Sequence, residues 1–142
     1  MLKVSAKMDY ALRALVELGL HWPNTVPRQI NDIGPKTGVS QKFLVHILIV
    51  LKGLGYVNSA RGRMGGYTLA VDPGKINLAD LLIQLGALGS LRQDTPGSRK
   101  DDAVSIFWSQ IDQRMATMLR ETTLADICER QRQQGKVITY EI

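Results

Sequence analysis

Residues 56–70 constrain this chain more than any other stretch. Tyr56-Val57-Asn58-Ser59-Ala60 and Tyr67-Thr68-Leu69-Ala70 are short alternating runs, and between them stands Arg61-Gly62-Arg63-Met64-Gly65-Gly66. Alternation at period two on both sides of a glycine-rich break predicts a β-hairpin. A tight tip demands positive backbone dihedrals, which Gly62, Gly65 and Gly66 are expected to supply. What precedes the hairpin then decides the fold.

Helical periodicity precedes it. Ser5 is a good N-cap for a helix to about Leu20, with Asp9 in its first turns and Met8, Ala11, Leu12, Leu15 and Leu18 at helical spacing. Trp22-Pro23-Asn24 ends that segment. A short second helix is expected over about Pro27–Ile33, interrupted at Gly34-Pro35, because Pro35 lacks an amide hydrogen and disfavours helix at the residue before it. Gly38 makes the turn. Ser40 caps a third helix that turns Leu44, Ile47, Leu48 and Leu51 inward and closes at Gly53 and Gly55. Helix, helix-turn-helix, hairpin is the order of a winged helix, a mainly α fold with a small β wing.

The second half reads as helices around a break. Asn77 caps a helix to about Leu85, with Asp80 at its third position. Gly86–Lys100 holds three glycines and a proline and reads as a loop. A long helix over about Asp102–Arg120 follows, and Thr123 caps a last helix to about Gln133, with Asp126 three residues in. In the long helix Val104, Trp108, Ile111, Met115 and Met118 are spaced 4, 3, 4 and 3, which is two heptads of coiled-coil register. Such a stripe is better read as a dimer core than as a cofactor box. The expected organisation is a winged helix-turn-helix unit over 1–85, a loop over 86–101, and a dimerisation helix plus C-terminal helix over 102–142, packed as one compact unit.

Composition excludes several classes. With 142 residues, 44% hydrophobic and 22% charged, the chain has the makeup of one globular domain and not of a disordered one. No apolar run approaches the ~20 residues that cross a bilayer, and the N-terminus lacks a signal peptide's apolar stretch, so a soluble, cytoplasmic protein is expected. Charge is uneven. Residues 1–75 carry ten Lys/Arg against four acids, and residues 76–142 carry eight against nine. A basic first half suggests a polyanionic partner; surplus charge that only maintains solubility is the alternative.

The helix starting at Ser40 has a second face. With its apolar residues committed to the core, it offers Gln41, Lys42, Val45, His46 and Ile49. A duplex major groove admits one helix, whose N-terminal residues reach the base edges. Gln41 can bond bidentately to adenine, Lys42 to guanine or phosphate, and Val45 can pack on a thymine methyl. A merely solvated face would not need exposed Val45 and Ile49. Arg61 and Arg63, two residues apart on a glycine-rich tip, can approach a phosphate backbone or enter a minor groove. The competing reading is an ordinary hairpin with solvated arginines.

Other chemistry finds little support. Cys128, the one cysteine, falls with Leu124 and Ile127 on an apolar face and reads as a buried, inert thiol before a redox switch. One thiol cannot build a disulfide framework or a multi-cysteine metal cage. His21 and His46 are far apart in sequence, with no acid at ligand spacing, so no metal site and no cofactor are expected. No G-x-S-x-G or H-E-x-x-H motif occurs, and no nucleophile–base pair suggests an enzyme.

Three stretches carry a family likeness: SAKMDYALRAL from Ser5, then GVSQKFLVHIL, then LKGLGYVNSARGRMGGYTLAVDP. Together they resemble the Rrf2 family of bacterial winged-helix regulators, closely over about residues 1–85 and more weakly in the long helix and TLADI. RGxxGGYxLA after a helix-turn-helix is the most specific element. The resemblance implies a homodimer whose long helices cross, with recognition helices in successive major grooves of a palindrome-like operator in double-stranded DNA. It implies DNA contacts from Ser40, Gln41, Lys42, Val45 and His46, from wing residues Arg61, Gly62, Arg63, Gly65 and Gly66, and from Lys7 to phosphate. Three features depart from the family. Leu88–Asp102 has none of the three cysteines with which cluster-sensing members hold an iron–sulfur cluster, so that function does not transfer. Val45 and His46 stand where such members place Glu and Gln, so the operator should differ. Gly34-Pro35 falls inside a helix that is normally continuous. The expected function is a sequence-specific repressor that answers an effector of unidentified class, small molecule or protein. The alternative is a winged-helix adaptor docking on a partner enzyme with little DNA binding.

Overall fold

The computed structural model describes residues 4–23, 26–86 and 102–140. Six helices and one hairpin follow in the order α1 (Ala6–Gly19), α2 (Ile30–Thr37), α3 (Gln41–Gly53), β1 (Val57–Ala60), β2 (Gly66–Leu69), a 3-10 turn at Pro73–Lys75, α4 (Leu78–Gln84), α5 (Ala103–Glu121) and α6 (Leu124–Tyr140). The expected 86–101 loop, beyond Gly86, lies outside the described residues.

Helix α1 is the hub. Ser5 caps it, its hydroxyl accepting from the Met8 amide at 3.2 Å. Ala11, Ala14 and Leu15 are fully buried. Two alanines one turn apart let neighbouring backbones come close, and α2, α3 and α6 all pack against this helix. Leu44, Leu48 and Leu51 of α3 are fully buried too, with Ile47 nearly so. That inward face is the one the sequence predicts. Ser40 takes the extended N-cap conformation, yet its hydroxyl makes no capping bond; the Leu44 amide closes the first turn on the Ser40 carbonyl at 2.9 Å.

The second helix corrects the expectation at both ends. It begins at Ile30 because Arg28 is drawn into a strand-like pairing with Tyr67, each amide donating to the other's carbonyl at 2.8 Å. It does not break at Gly34-Pro35. Pro35 sits inside the helix on an exposed position, as does Asn31, four residues earlier. The carbonyl that Pro35 cannot serve therefore lies on the water side, where its loss is cheap. Gly34 is buried on the inner side, where an added Cβ would stand in ordinary contact with the Val39 carbonyl and Leu44. The helix ends instead at Gly38, whose φ of 71° is the left-handed cap that glycine tolerates.

The hairpin forms with register Val57↔Leu69, Asn58↔Thr68, Ser59↔Tyr67 and Ala60↔Gly66. Gly62 and Gly66 adopt positive φ as expected, at 101° and 149°. Gly65 does not; it is required for space, since a Cβ there would overlap the Ala60 carbonyl oxygen.

Downstream, the Asn77 side chain accepts from the Ala79 and Asp80 amides and donates to the Arg120 carbonyl at 2.7 Å. Residues 76–78 and 122–124 run side by side through Leu78 N–H to Thr122 O and Leu124 N–H to Ile76 O. Thr123 and Asp126 cap α6 reciprocally. That helix runs seven residues past the expected Gln133, because the isolated Gly135 weakens a helix without ending it. Leu124 and Cys128 seat α6 against Gly19 of α1, where an added Cβ would stand 2.7 Å from the Cys128 sulfur.

Candidate nucleic-acid interface

The start of α3, the start of α2 and the tip end of the hairpin surround one groove of about 470 Å³. Gln41 and Val45 enter it from α3, Arg61, Gly62, Gly65 and Gly66 from the wing, and Gln29 and Asn31 from α2. Seven of the eleven residues expected to contact DNA thus divide as six around this groove and Arg63 at its rim, since the Arg63 carbonyl accepts from Gln29 Nε2 at 2.8 Å. Lys42 and His46 are exposed on α3, Ser40 is exposed at its N-cap, and Lys7 is exposed at the start of α1. Val45 is half-buried and not fully exposed as its position suggests, because it lies against the groove wall.

Three contributors escaped the sequence reading. Gln29 ties the wing tip to α2. Asn31 accepts a hydrogen bond from Gln41 Nε2 at 2.6 Å. Phe43, 57% exposed on α3, rests against the Tyr10 ring of α1 with centroids 5.9 Å apart. Polar Gln29 and Asn31 stand ten or more residues from their partners, so no local pattern marks them. Phe43 was visible as an aromatic outside the apolar stripe.

Electrostatics set the frame. Arg28, counted among the cations of the basic half, is spent inside the fold: its Nη2 donates to Glu17 Oε1 at 3.1 Å, and His21 Nε2 lies 3.4 Å from the same oxygen. This pair fastens the segment that pairs with the wing onto α1. Arg13 is likewise engaged, with Asp9 at 2.8 Å.

The comparisons with known proteins bear on this geometry. Residues 4–130 match the family model of Rrf2, described as iron-dependent transcriptional regulators. The chain belongs to the Rrf2 family. A Mycobacterium tuberculosis chain named for a helix-turn-helix type of transcriptional regulator is 38% identical over 131 residues, covering 89% of this chain and 81% of that relative. Among solved structures, CymR, the global cysteine regulator of B. subtilis, superposes with a TM-score of 0.79 at 28% identity, over 92% of this chain and 98% of that one. IscR of T. potens gives 0.70 at 31% identity, over 91% and 88%. This Rrf2 protein is therefore a winged-helix transcriptional regulator, and DNA binding is its family function. Among the described residues no helix is long and apolar enough to cross a membrane.

Iron, named in the family description, does not fit the thiol chemistry of this member. Its one cysteine, Cys128, is buried in α6 and donates to the Val16 carbonyl at 3.7 Å. Burial pushes the thiol pKa up, against a smaller lowering by Arg132. A thiolate ligand needs the opposite environment. No group of three His, Cys, Asp or Glu able to hold a metal occurs among the described residues.

Proposed function

We propose that this Rrf2 protein is a cytoplasmic homodimeric repressor that reads a palindrome-like operator through α3 and grips the flanking backbone with its wing. The observation that carries the reading is the shared groove: the recognition helix start and the arginine-bearing tip are fixed to the same end of α2. In a duplex, Gln41, Lys42, Val45 and His46 would face the major-groove edge, with Ser40 and Lys7 at phosphates. Arg61 and Arg63 would reach the adjacent backbone or minor groove, and Gly62, Gly65 and Gly66 would let that tip come close.

The dimer is carried by α5. Val104, Trp108 and Met118 are exposed in the single chain, and Ile111 and Met115 are half-buried beside them. Phe107 joins the stripe, its ring 5.3 Å from that of Trp108. A stripe of this size facing water is the mark of a partner surface, and a second copy of the same helix fits its two-heptad spacing. An effector that changes how the α5 helices cross would change the spacing of the two α3 helices and hence operator affinity. The protein acts by binding and blocking, without catalysis and without a three-cysteine iron–sulfur cluster.

The test is to sequence the genomic fragments that the purified protein retains at physiological salt. A shared element with two-fold symmetry and half-sites about one helical turn apart supports the reading. Retention without a shared element, or none at all, favours the adaptor role instead.

A further inference from the structure

Resting on the proposed role of Gln41 as a base reader, we infer that Asn31 is a positioning residue that makes Gln41 select adenine over guanine. A glutamine amide offers one acceptor and two N–H donors. Adenine's major-groove edge asks for one donor, to N7, and one acceptor, for the N6 amino group. Guanine's edge asks for two donors, to N7 and O6. A free Gln41 could meet either demand by turning its amide. In the structure Asn31 Oδ1 takes one Nε2–H at 2.6 Å. What remains is Oε1 and one N–H, the adenine set. Turning the Gln41 amide alone would place Oε1 against Asn31 Oδ1, two acceptors facing each other; only a turn of both amides together would restore a bond between them and leave Gln41 the guanine set.

The roles of the two residues are not interchangeable. Asn31 stands on the short α2, one turn or less from Gln29, whose side chain is bonded to the Arg63 carbonyl at 2.8 Å. Just before Gln29, Arg28 exchanges both backbone bonds with Tyr67. The Asn31 backbone is thus locked to the wing, while Gln41 is a long, exposed side chain at the first position of α3. The shorter side chain on the anchored backbone biases the orientation of the longer one.

The experiment selects duplexes from a random pool with the full-length protein and three variants, and compares base preference position by position. Gln41→Ala should flatten one operator position that prefers adenine in the wild type. Asn31→Ala should lower the adenine-over-guanine preference at that position by about 3- to 10-fold, the scale of freeing one side-chain rotor, with other positions unchanged. Asn31→Asp keeps an acceptor against Nε2, so it should retain the preference even though its charge weakens binding to every duplex. A merely structural Asn31 would shift overall affinity and leave the base preference in place. Asn31→Ala with undiminished adenine preference overturns the inference while Gln41 stays a reader. A position that depends on Gln41 but prefers guanine also overturns it. If Gln41→Ala flattens no position, the base-reading role fails, and this inference with it.

Discussion

Single residues decide how close the parts of this protein approach one another. At Gly66, a Cβ would overlap the Arg28 carbonyl and sit 2.7 Å from the Arg28 carbonyl carbon, at a φ that other residues rarely adopt. Gly66→Ala is therefore expected to cost about 1–3 kcal/mol, read as a lowered denaturation midpoint. It should also break the Arg28–Tyr67 pairing, seen as faster amide exchange at both residues. Cys128 is the opposite case, a residue held by being covered. Its thiol pKa is raised by burial, so the folded state holds the proton more tightly than the unfolded state does. The sign follows: this contribution is fully present below the ordinary thiol range and is lost as pH rises through it towards the raised folded value. A thiol reagent should leave the native protein unmodified at neutral pH and label it fully in denaturant. Fast labelling of the native state would show an accessible, switch-capable thiol.

At the scale of elements, α2 is the unexpected organiser. It is only eight residues long and contains a proline, yet its N-terminal end holds the wing through Gln29 and the start of α3 through Asn31. The wing is correspondingly more than a loose two-stranded ribbon, because Arg28 pairs with Tyr67 of β2 in addition to the four pairs that β2 makes with β1. A wing so fixed should meet phosphates with constant geometry. Removing both Arg61 and Arg63 should lower the slope of log affinity against log salt by ~0.9 for each phosphate that is no longer neutralised. The preference among sequences should change little. An unchanged slope in the double alanine variant would take the wing out of the interface.

For the whole molecule, the two halves are tied through the pairing of 76–78 with 122–124 and through α6 on α1, which leaves the apolar stripe of α5 outward. Met118, 60% exposed in the single chain, separates assembly from folding. Met118→Glu should leave the isolated fold intact, since the charge stays in water. It would place an unpaired charge in a dimer seam, a loss on the order of 3–5 kcal/mol. Sedimentation should then show a folded monomer at concentrations where the wild type is dimeric. A wild type that is monomeric at micromolar concentration would refute the seam. Operator binding by protein prepared without oxygen should be unaffected by an iron chelator; a visible chromophore abolished by Cys128→Ala would contradict this.

Much of the fold was legible along the chain because it rests on local signals. Ser5, Asn77 and Thr123 announce helix starts through bonds made within three residues, and the α3 stripe declares its buried face by spacing alone. The wing tip is equally local. The two errors at α2 share one cause. Whether Pro35 breaks a helix depends on which side of that helix meets water, and whether Pro27–Gln29 coils or extends depends on Tyr67, nearly forty residues away. The same holds for the site. Gln41, Lys42, Arg61 and Arg63 were visible as charged or amide groups on predicted elements, because residue type and place on an element suffice to nominate a DNA-facing group. Gln29 and Asn31 were not, because their partners are Arg63 and Gln41, and only the packing of α2 against the wing and α3 brings these pairs within hydrogen-bonding distance.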